Sequence, residues 1–382
     1  MRLETLIASA REQGASDVHL EGGFPATFRV RGALKRQGEA LPPALLTSFA
    51  RELLGDEWNA FIERGSADLS RLISGQRCRL NVLRTSRGVG FAIRLLTSSQ
   101  ATLKSLNLHP ELARLVRPTH GLVLVCGPTG SGKTSTLAAL LQEINLHEAR
   151  HIITVESPVE YSLVPRKSFI RQREVGRDTP SFEQALLDSL REDPDVLMVG
   201  ELRDPEVMRL TLSAAETGHL VLATLHSSKA SEGLQRLVSA FAPEVQQSVC
   251  AQLADVLVGV VAQRLRFHEA QKMLVPECEL LMASAPVRAL VRQGQFFKLA
   301  SAMETGAAEG SSTFSRYGEW LAKKTEFVQP SASLEPVTDA PPPALPALKP
   351  VARRASVSDD GALVINEGDD DLSSIIEALE KD

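Results

Sequence analysis

The chain has 382 residues, of which 43% are hydrophobic and 23% charged, a composition that excludes a wholly disordered or fibrous protein and predicts two or three globular domains. Residues 1–330 are nearly neutral, with 38 basic and 36 acidic side chains, whereas residues 331–382 carry 4 basic and 11 acidic ones. This balance gives no support for a nucleic-acid partner. The cysteines form no CxxC pair, and the chain shows no signal peptide or long apolar run. We therefore expect a cytoplasmic protein without disulfides or structural zinc.

Residues 1–97 are predicted to form a small α+β domain. Leu3, Ile7 and Ala10 share one face of an amphipathic helix, and the segments ATFRVRG, CRLNVLR and GFAIRLL resemble strands separated by Gly/Ser turns. Residues 98–110 are interpreted as a linker to the next domain.

Residues 111–327 show short apolar runs that alternate with helical segments. The runs are GLVLVC, HIITVE, DVLMVG and LVLATL, and the intervening segments have helical periodicity. This alternation predicts an α/β domain with a mainly parallel sheet and crossover helices. Residues 231–325 are predicted to be mostly helical.

Residues 328–382 form a proline-rich acidic segment, which contains seven of the 21 prolines of the chain. Such a composition is typical of a disordered tail. Near its end, Asp371 precedes Leu372, Ile375, Ile376 and Leu379, which share one helical face. This stretch is either a fraying terminal helix or a motif that docks a protein partner.

A phosphate-binding loop follows the first predicted strand of the α/β domain. The residues Gly127, Pro128, Thr129, Gly130, Ser131, Gly132, Lys133 and Thr134 fit G-x-x-x-x-G-K-[ST], and the helix that begins with Ser135 comes next. In this loop backbone N–H groups and a helix N-terminus surround an anion. Lys133 is expected to reach the β- and γ-phosphates of ATP, and the Thr134 hydroxyl to ligate Mg²⁺.

Acidic residues follow two other predicted strands. Glu201 ends the run DVLMVGE, where a carboxylate would contact the metal through water. Glu156 and Glu160 follow the strand HIITV, where a carboxylate could orient and deprotonate the attacking water.

Two histidines flank the strand LVLATL, with His219 directly before it and His226 directly after it. Both are predicted to lie near the nucleotide crevice of the sheet, where a neutral imidazole could donate to a γ-phosphate oxygen. The alternative for each is an ordinary capping or packing histidine.

In the order GPTGSGKTST, ITVESPVEY, LMVGELRDPEV and ETGHLVLATLHS, these motifs resemble the retraction ATPases of type IV pili, the PilT/PilU family of secretion motors. The segments SDVHL and CRLNVLR are similar to the PAS-like N-terminal domain of that family. The likeness covers about residues 1–325. It implies a RecA-like P-loop ATPase core, with Glu160 as the catalytic base, Glu201 as the acid on the metal side, and His219 and His226 as sensors.

The resemblance also implies a homohexamer, in which arginines of a neighbouring N-terminal domain contact the phosphates. Arg79 and Arg94 are the preferred candidates, ahead of Arg77. It further implies a peripheral position at the cytoplasmic side of the inner membrane, with a platform protein of the pilus as a partner and a paralogous retraction ATPase as a candidate second partner.

Two positions depart from the pattern of this family. Ser157 stands where the family usually has an aspartate, and Ala289 replaces an asparagine in the stretch Pro286–Arg292. These departures keep open an accessory PilU-like motor and a regulator that binds nucleotide but turns over poorly. The motifs also leave a type II or type IV secretion ATPase as an alternative.

Overall fold

A computed structural model describes residues 2–30, 32–95, 101–329, 353–357 and 363–367 of the chain. The chain divides into two compact units, Met1–Val337 and Thr338–Asp382. Within the described residues, no helix combines the length and apolarity needed to cross a membrane.

The N-terminal domain is a six-stranded antiparallel sheet with helices packed on one face. Its helices are α1 (Leu3–Glu12), α2 (Pro43–Leu54) and α3 (Trp58–Arg64), and its strands are β1 (Ala15–Leu20), β2 (Pro25–Val30), β3 (Ala33–Ala40), β4 (Ser66–Ile73), β5 (Gln76–Thr85) and β6 (Gly88–Leu95). The strand order is β3-β2-β1-β6-β5-β4. Cys78, Leu80 and Val82 of β5 are buried. Because strand residues alternate between faces, Arg77 and Arg79 lie on the opposite face of β5.

The second domain is a seven-stranded sheet with helices on both faces. Its strands are β7 (Gly121–Cys126), β8 (His151–Glu156), β9 (Phe169–Glu174), β10 (Val196–Val199), β11 (Leu220–Leu225), β12 (Leu257–His268) and β13 (Met273–Met282). Its helices are α4 (Lys133–His147), α5 (Phe182–Ser189), α6 (Pro205–Glu216), α7 (Ala230–Ser239), α8 (Pro243–Val256), α9 (Ala285–Arg292), α10 (Leu299–Thr305) and α11 (Phe314–Lys323).

The strand order of this sheet is β13-β12-β7-β11-β10-β8-β9, and all neighbours are parallel except β12 and β13. The central strands β7, β10 and β11 are buried along their whole length, as expected for a parallel sheet covered on both faces. The carboxyl ends of β7, β8, β10 and β11 meet at one edge, and this edge holds the site described below. The predicted fold class, an α/β core with a smaller α+β N-terminal domain, is confirmed.

The prediction that residues 231–325 are mostly helical is wrong for residues 257–282, which form the antiparallel pair β12–β13. Both strands contain continuous buried runs, which periodicity alone cannot distinguish from buried helix. Of the segment 98–110, which the sequence predicts to be a linker, residues 98–100 lie outside the described residues. In the rest of it, Ala101, Leu103 and Leu108 are buried in the hydrophobic core of the second domain.

The acidic C-terminal segment contains a short antiparallel pair, β14 (Arg353–Val357) and β15 (Leu363–Glu367), which the sequence did not predict. The expected terminal helix at Leu372–Leu379 lies outside the described residues.

Candidate active site

The phosphate-binding loop connects β7 to α4, as the motif predicts. Gly132 precedes the first residue of α4 with φ = 86°, a left-handed conformation that glycine adopts without strain. At Gly127 a Cβ atom would lie 2.4 Å from Ser131 Oγ and 2.5 Å from the Gln263 carbonyl oxygen. Position 127 therefore has no room for a side chain, and the loop has the compact form that lets backbone N–H groups surround a phosphate.

Lys133 lies at the start of α4 and folds back over this loop. Its Nζ donates to the carbonyl oxygens of Gly127 and Pro128, each at 3.0 Å. Burial lowers the pKa of Lys133, although nearby acidic side chains oppose this shift. Ser131 Oγ is buried and has no hydrogen-bond partner among the described residues. An orphaned hydroxyl inside a glycine cradle fits the binding of an oxyanion.

Gln263 of β12 connects the phosphate loop to α4 through two hydrogen bonds. Its Nε2 donates to the Ser131 carbonyl at 2.7 Å, and its Oε1 accepts from Thr136 Oγ1 of α4 at 2.6 Å. Only 3% of the residue is exposed. Sequence analysis missed Gln263. An amide within the apolar run LVGVVAQRL was the available signal, because a buried amide must find hydrogen-bond partners.

Glu201 follows β10 and faces the loop across a cleft. Its carboxylate contacts His226 Nε2 at 3.0 Å and Arg203 Nη2 at 2.7 Å. Burial alone would raise the pKa of Glu201, but the hydrogen bond and charge of Arg203, with His226 and Lys133, hold that pKa below its ordinary value. The carboxylate is therefore kept charged.

The loop after β8 carries Ser157 and Glu160 into the same cleft. The hydroxyl groups of Tyr161 and Ser135 are 2.6 Å apart, which ties the loop to α4. Glu156 Oε1 accepts from Thr154 Oγ1 at 2.6 Å and from Gln172 Nε2 at 3.1 Å. Burial is the main cause that raises the pKa of Glu156 to about 7.

The three candidate arginines lie in different surroundings. Arg79 lines the cleft of its own chain together with Lys133 and Glu160, whereas the resemblance implied the cleft of a neighbouring subunit. Arg94 donates to Asp17 Oδ1 at 3.0 Å on the face of the N-terminal sheet and does not line the cleft of its own chain. Arg77 contacts Glu174 at 3.2 Å.

His226 lies in the cleft, but the prediction that His219 lies near it is wrong. His219 precedes the first residue of β11, and its carbonyl accepts from Gly121 N at the start of β7. The phosphate loop follows the other end of β7. Six strand residues separate the two edges of the sheet by about 20 Å. His219 Nδ1 lies 2.9 Å from the Ala214 carbonyl oxygen, so it closes the turn after α6.

The phosphate loop, Lys133 and the residues at the carboxyl ends of the strands together enclose a cleft of about 350 Å³. One wall holds Thr129, Gly130, Lys133 and Thr134, and the other holds Glu156, Ser157, Glu160, Glu201 and His226. Thr134 and Glu201 thus present oxygen atoms to a shared space, and hydroxyl, carboxylate and water oxygens are the donors that Mg²⁺ prefers. The arrangement suits the binding of a nucleoside triphosphate with its metal.

The chain is similar to proteins of known families over most of its length. The sequence model of the family "Type II/IV secretion system protein" matches residues 2–309. YggR, an uncharacterized protein of Escherichia coli K12, is 39% identical over 82% of the chain and 96% of its own length. The type IV pilus retraction ATPase PilT of Pseudomonas aeruginosa is 37% identical over 82% of the chain and 92% of its own length.

The fold is also similar to a solved structure. A crystal structure of the pilus retraction motor PilT with bound ADP superposes with a TM-score of 0.78 at 36% identity, and the match covers 85% of this chain and 93% of that one.

Proposed function

Because the chain belongs to the type II/IV secretion system protein family, we propose that it is an ATP-hydrolysing motor that powers retraction of a type IV pilus. The similarity to PilT over nearly the whole of that protein supports the assignment and confirms the resemblance inferred from the motifs. The observation that carries the proposal is the single cleft shared by the phosphate loop, Glu160 and the Glu201–His226 pair.

The phosphate groups of ATP are bound by the backbone N–H groups of the loop and the N-terminus of α4. Lys133 leaves the carbonyl oxygens that it now contacts and donates to the β- and γ-phosphates. The orphaned Ser131 hydroxyl becomes a further donor. Binding thus replaces contacts within the loop by contacts to the nucleotide.

Thr134 and Glu201, which line the same cleft, would hold Mg²⁺, the Thr134 hydroxyl as a ligand and the Glu201 carboxylate through water. When bound, this ion neutralises charge on the β- and γ-phosphate oxygens. The Arg203 and His226 contacts keep the Glu201 carboxylate charged and oriented toward that position.

Glu160 acts as the base that orients the attacking water and takes its proton. His226, which lines the cleft and contacts Glu201, senses loss of the γ-phosphate. Arg79 stabilises charge that develops on the phosphoryl oxygens, a contribution that can reach orders of magnitude in rate. Arg94 stays a candidate for the cleft of a neighbouring subunit.

The motor works as a homohexamer at the cytoplasmic face of the inner membrane, where it acts on a platform protein of the pilus, with a paralogous retraction ATPase as a candidate second partner. The acidic C-terminal segment docks a protein partner. Ser157 in the cleft and Ala289 in α9 favour one alternative, an accessory or regulatory ATPase with slow turnover.

The test is steady-state phosphate release with MgATP, together with light scattering to determine the oligomer. Glu201→Ala should abolish release, and Glu304→Ala, which removes an exposed carboxylate from α10, should leave it unchanged. ATP binding without turnover in the wild-type protein would instead favour the regulatory alternative. Deletion of the gene then gives the direction of force: a retraction motor leaves abundant immobile pili, whereas an assembly motor leaves none.

A further inference from the structure

A buried carboxylate at the end of β9 joins the N-terminal sheet to the loop that carries Glu160. Glu174 is 6% exposed. Its Oε2 atom contacts Arg77 Nη2 of β5 at 3.2 Å and accepts from the backbone N–H of Val159 at 3.2 Å. Arg177 Nη1 lies 3.6 Å from the same oxygen. One atom thus receives contacts from both domains.

The Val159 contact fixes one side of Glu160. The other side is fixed by Tyr161, whose carbonyl accepts from Gln172 Nε2 at 2.8 Å and whose hydroxyl lies 2.6 Å from Ser135 Oγ. Glu160 is therefore held between two anchored neighbours, and its own backbone N–H donates to the Glu156 carboxylate. The anchors at Tyr161 and Glu156 lie within the ATPase domain, whereas the anchor at Val159 also depends on the N-terminal domain through Arg77.

Arg77 and Arg79 lie on the same face of β5, two residues and about 7 Å apart along the strand. Arg79 reaches the cleft, while Arg77 ends at Glu174. The Arg77 side chain is 22% exposed, and its Nε atom is buried without a partner among the described residues. Among the described residues Arg77 forms its ion pair with Glu174, and loss of that partner would leave a largely buried charge unpaired, which is strongly unfavourable.

We propose that Arg77 and Glu174 are positioning residues that couple docking of the N-terminal sheet to the placement of Glu160. The proposal rests on the role assigned to Glu160 above. With the sheet docked, Arg77 holds the Glu174 carboxylate where it accepts from Val159, and Glu160 stays aimed into the cleft. When the sheet moves away, Glu174 is free to turn toward Arg177 or solvent. The Val159 N–H then loses its fixed acceptor, and the loop shifts.

Kinetics test this coupling through Arg77→Ala, Arg77→Lys and Glu174→Gln. The matched control is Arg36→Ala, which removes an exposed arginine from β3 of the same sheet. Arg77→Ala and Glu174→Gln should each lower kcat about tenfold with little change in KM, since small displacements of a catalytic group cost rate rather than binding. Arg77→Lys should restore part of the loss. The double variant Arg77→Ala/Glu174→Gln should be no slower than either single variant, because both changes remove one interaction.

Hydrogen exchange of residues 157–163 gives a readout that does not require turnover. Arg77→Ala should speed exchange of this segment relative to Arg36→Ala, while exchange of the phosphate loop stays the same. Unchanged exchange, or equal kcat for Arg77→Ala and Arg36→Ala, would overturn the coupling. If the wild-type protein shows no turnover but Arg77→Ala still exchanges faster than Arg36→Ala, the proposed function is refuted and the structural coupling stands.

Discussion

Replacement of Gln263 by leucine tests whether β12 supports the phosphate loop. Leucine has a similar volume, so the change removes two hydrogen bonds without opening a cavity. It leaves the Thr136 hydroxyl, in a residue that is 1% exposed, and the Ser131 carbonyl without their partner. We therefore expect effects on both stability and nucleotide affinity.

The expected size follows from these two groups. Leaving a buried polar group unsatisfied costs about 1–3 kcal/mol. The Thr136 hydroxyl can turn to a carbonyl of the preceding helical turn, so its cost lies at the low end. The sum is about 2–4 kcal/mol, which corresponds to a melting temperature lowered by roughly 5–15 °C in a domain of this size.

The assay is thermal unfolding without nucleotide, combined with calorimetric titration of ADP. Gln247→Leu serves as the control, because the exposed Gln247 donates a single hydrogen bond to the Arg292 carbonyl, and such surface changes usually alter stability by no more than about 0.5 kcal/mol. ADP binding by Gln263→Leu should weaken, because the Ser131 carbonyl no longer holds the loop in its binding form. Equal melting temperatures and equal ADP affinities in the two variants would refute the supporting role.

Two further predictions follow from the site. Burial raises the pKa of Glu156 in the folded protein to about 7, so between the ordinary carboxyl pKa and pH 7 the folded state holds a proton that the unfolded state has lost. The free energy of unfolding therefore falls by about 3 kcal/mol as pH rises through this range. The stability of Glu156→Gln relative to the wild type, measured by nucleotide-free unfolding, should therefore be higher at pH 8 than at pH 5. An equal difference between the two proteins at both pH values would contradict the raised pKa. His226→Ala should lower kcat about tenfold or more by removing the Nε2 contact to Glu201, whereas His219→Ala should change it less than about twofold. Similar losses in phosphate-release assays would contradict the placement of the two histidines.

Much of the site could be predicted because its motifs are local. The phosphate loop is one contiguous segment between a strand and a helix, and Glu160, Glu201 and His226 each follow a parallel strand. The carboxyl ends of such strands lie at one edge of the sheet, so these three residues can be predicted to lie close together without knowledge of the strand order. The same rule places His219, which precedes its strand, at the opposite edge of the sheet, away from the cleft.

The supporting residues could not be predicted, because their partners are distant in sequence. Gln263 contacts the phosphate loop because β12 pairs with β7. The sequence does not predict this pairing, because the apolar run within β12 is also compatible with a helix. Glu174 meets Val159 and Arg77 because β9 forms the edge of one sheet and faces another. The sequence shows that a polar residue lies in a strand, but the sheet order decides what that residue contacts.

The serine at position 157, where the resembled family usually has aspartate, is compatible with hydrolysis for a reason that the structure supplies. Glu160 is positioned by the contacts of Val159 and Tyr161 and by its own backbone N–H, which donates to the Glu156 carboxylate. Burial is the main cause of the raised pKa of Glu156, and the charge of Glu160 contributes a smaller rise. A neutral hydroxyl at position 157 adds no further negative charge beside Glu160 for the incoming phosphates to meet, while the base and Glu201 stay in place.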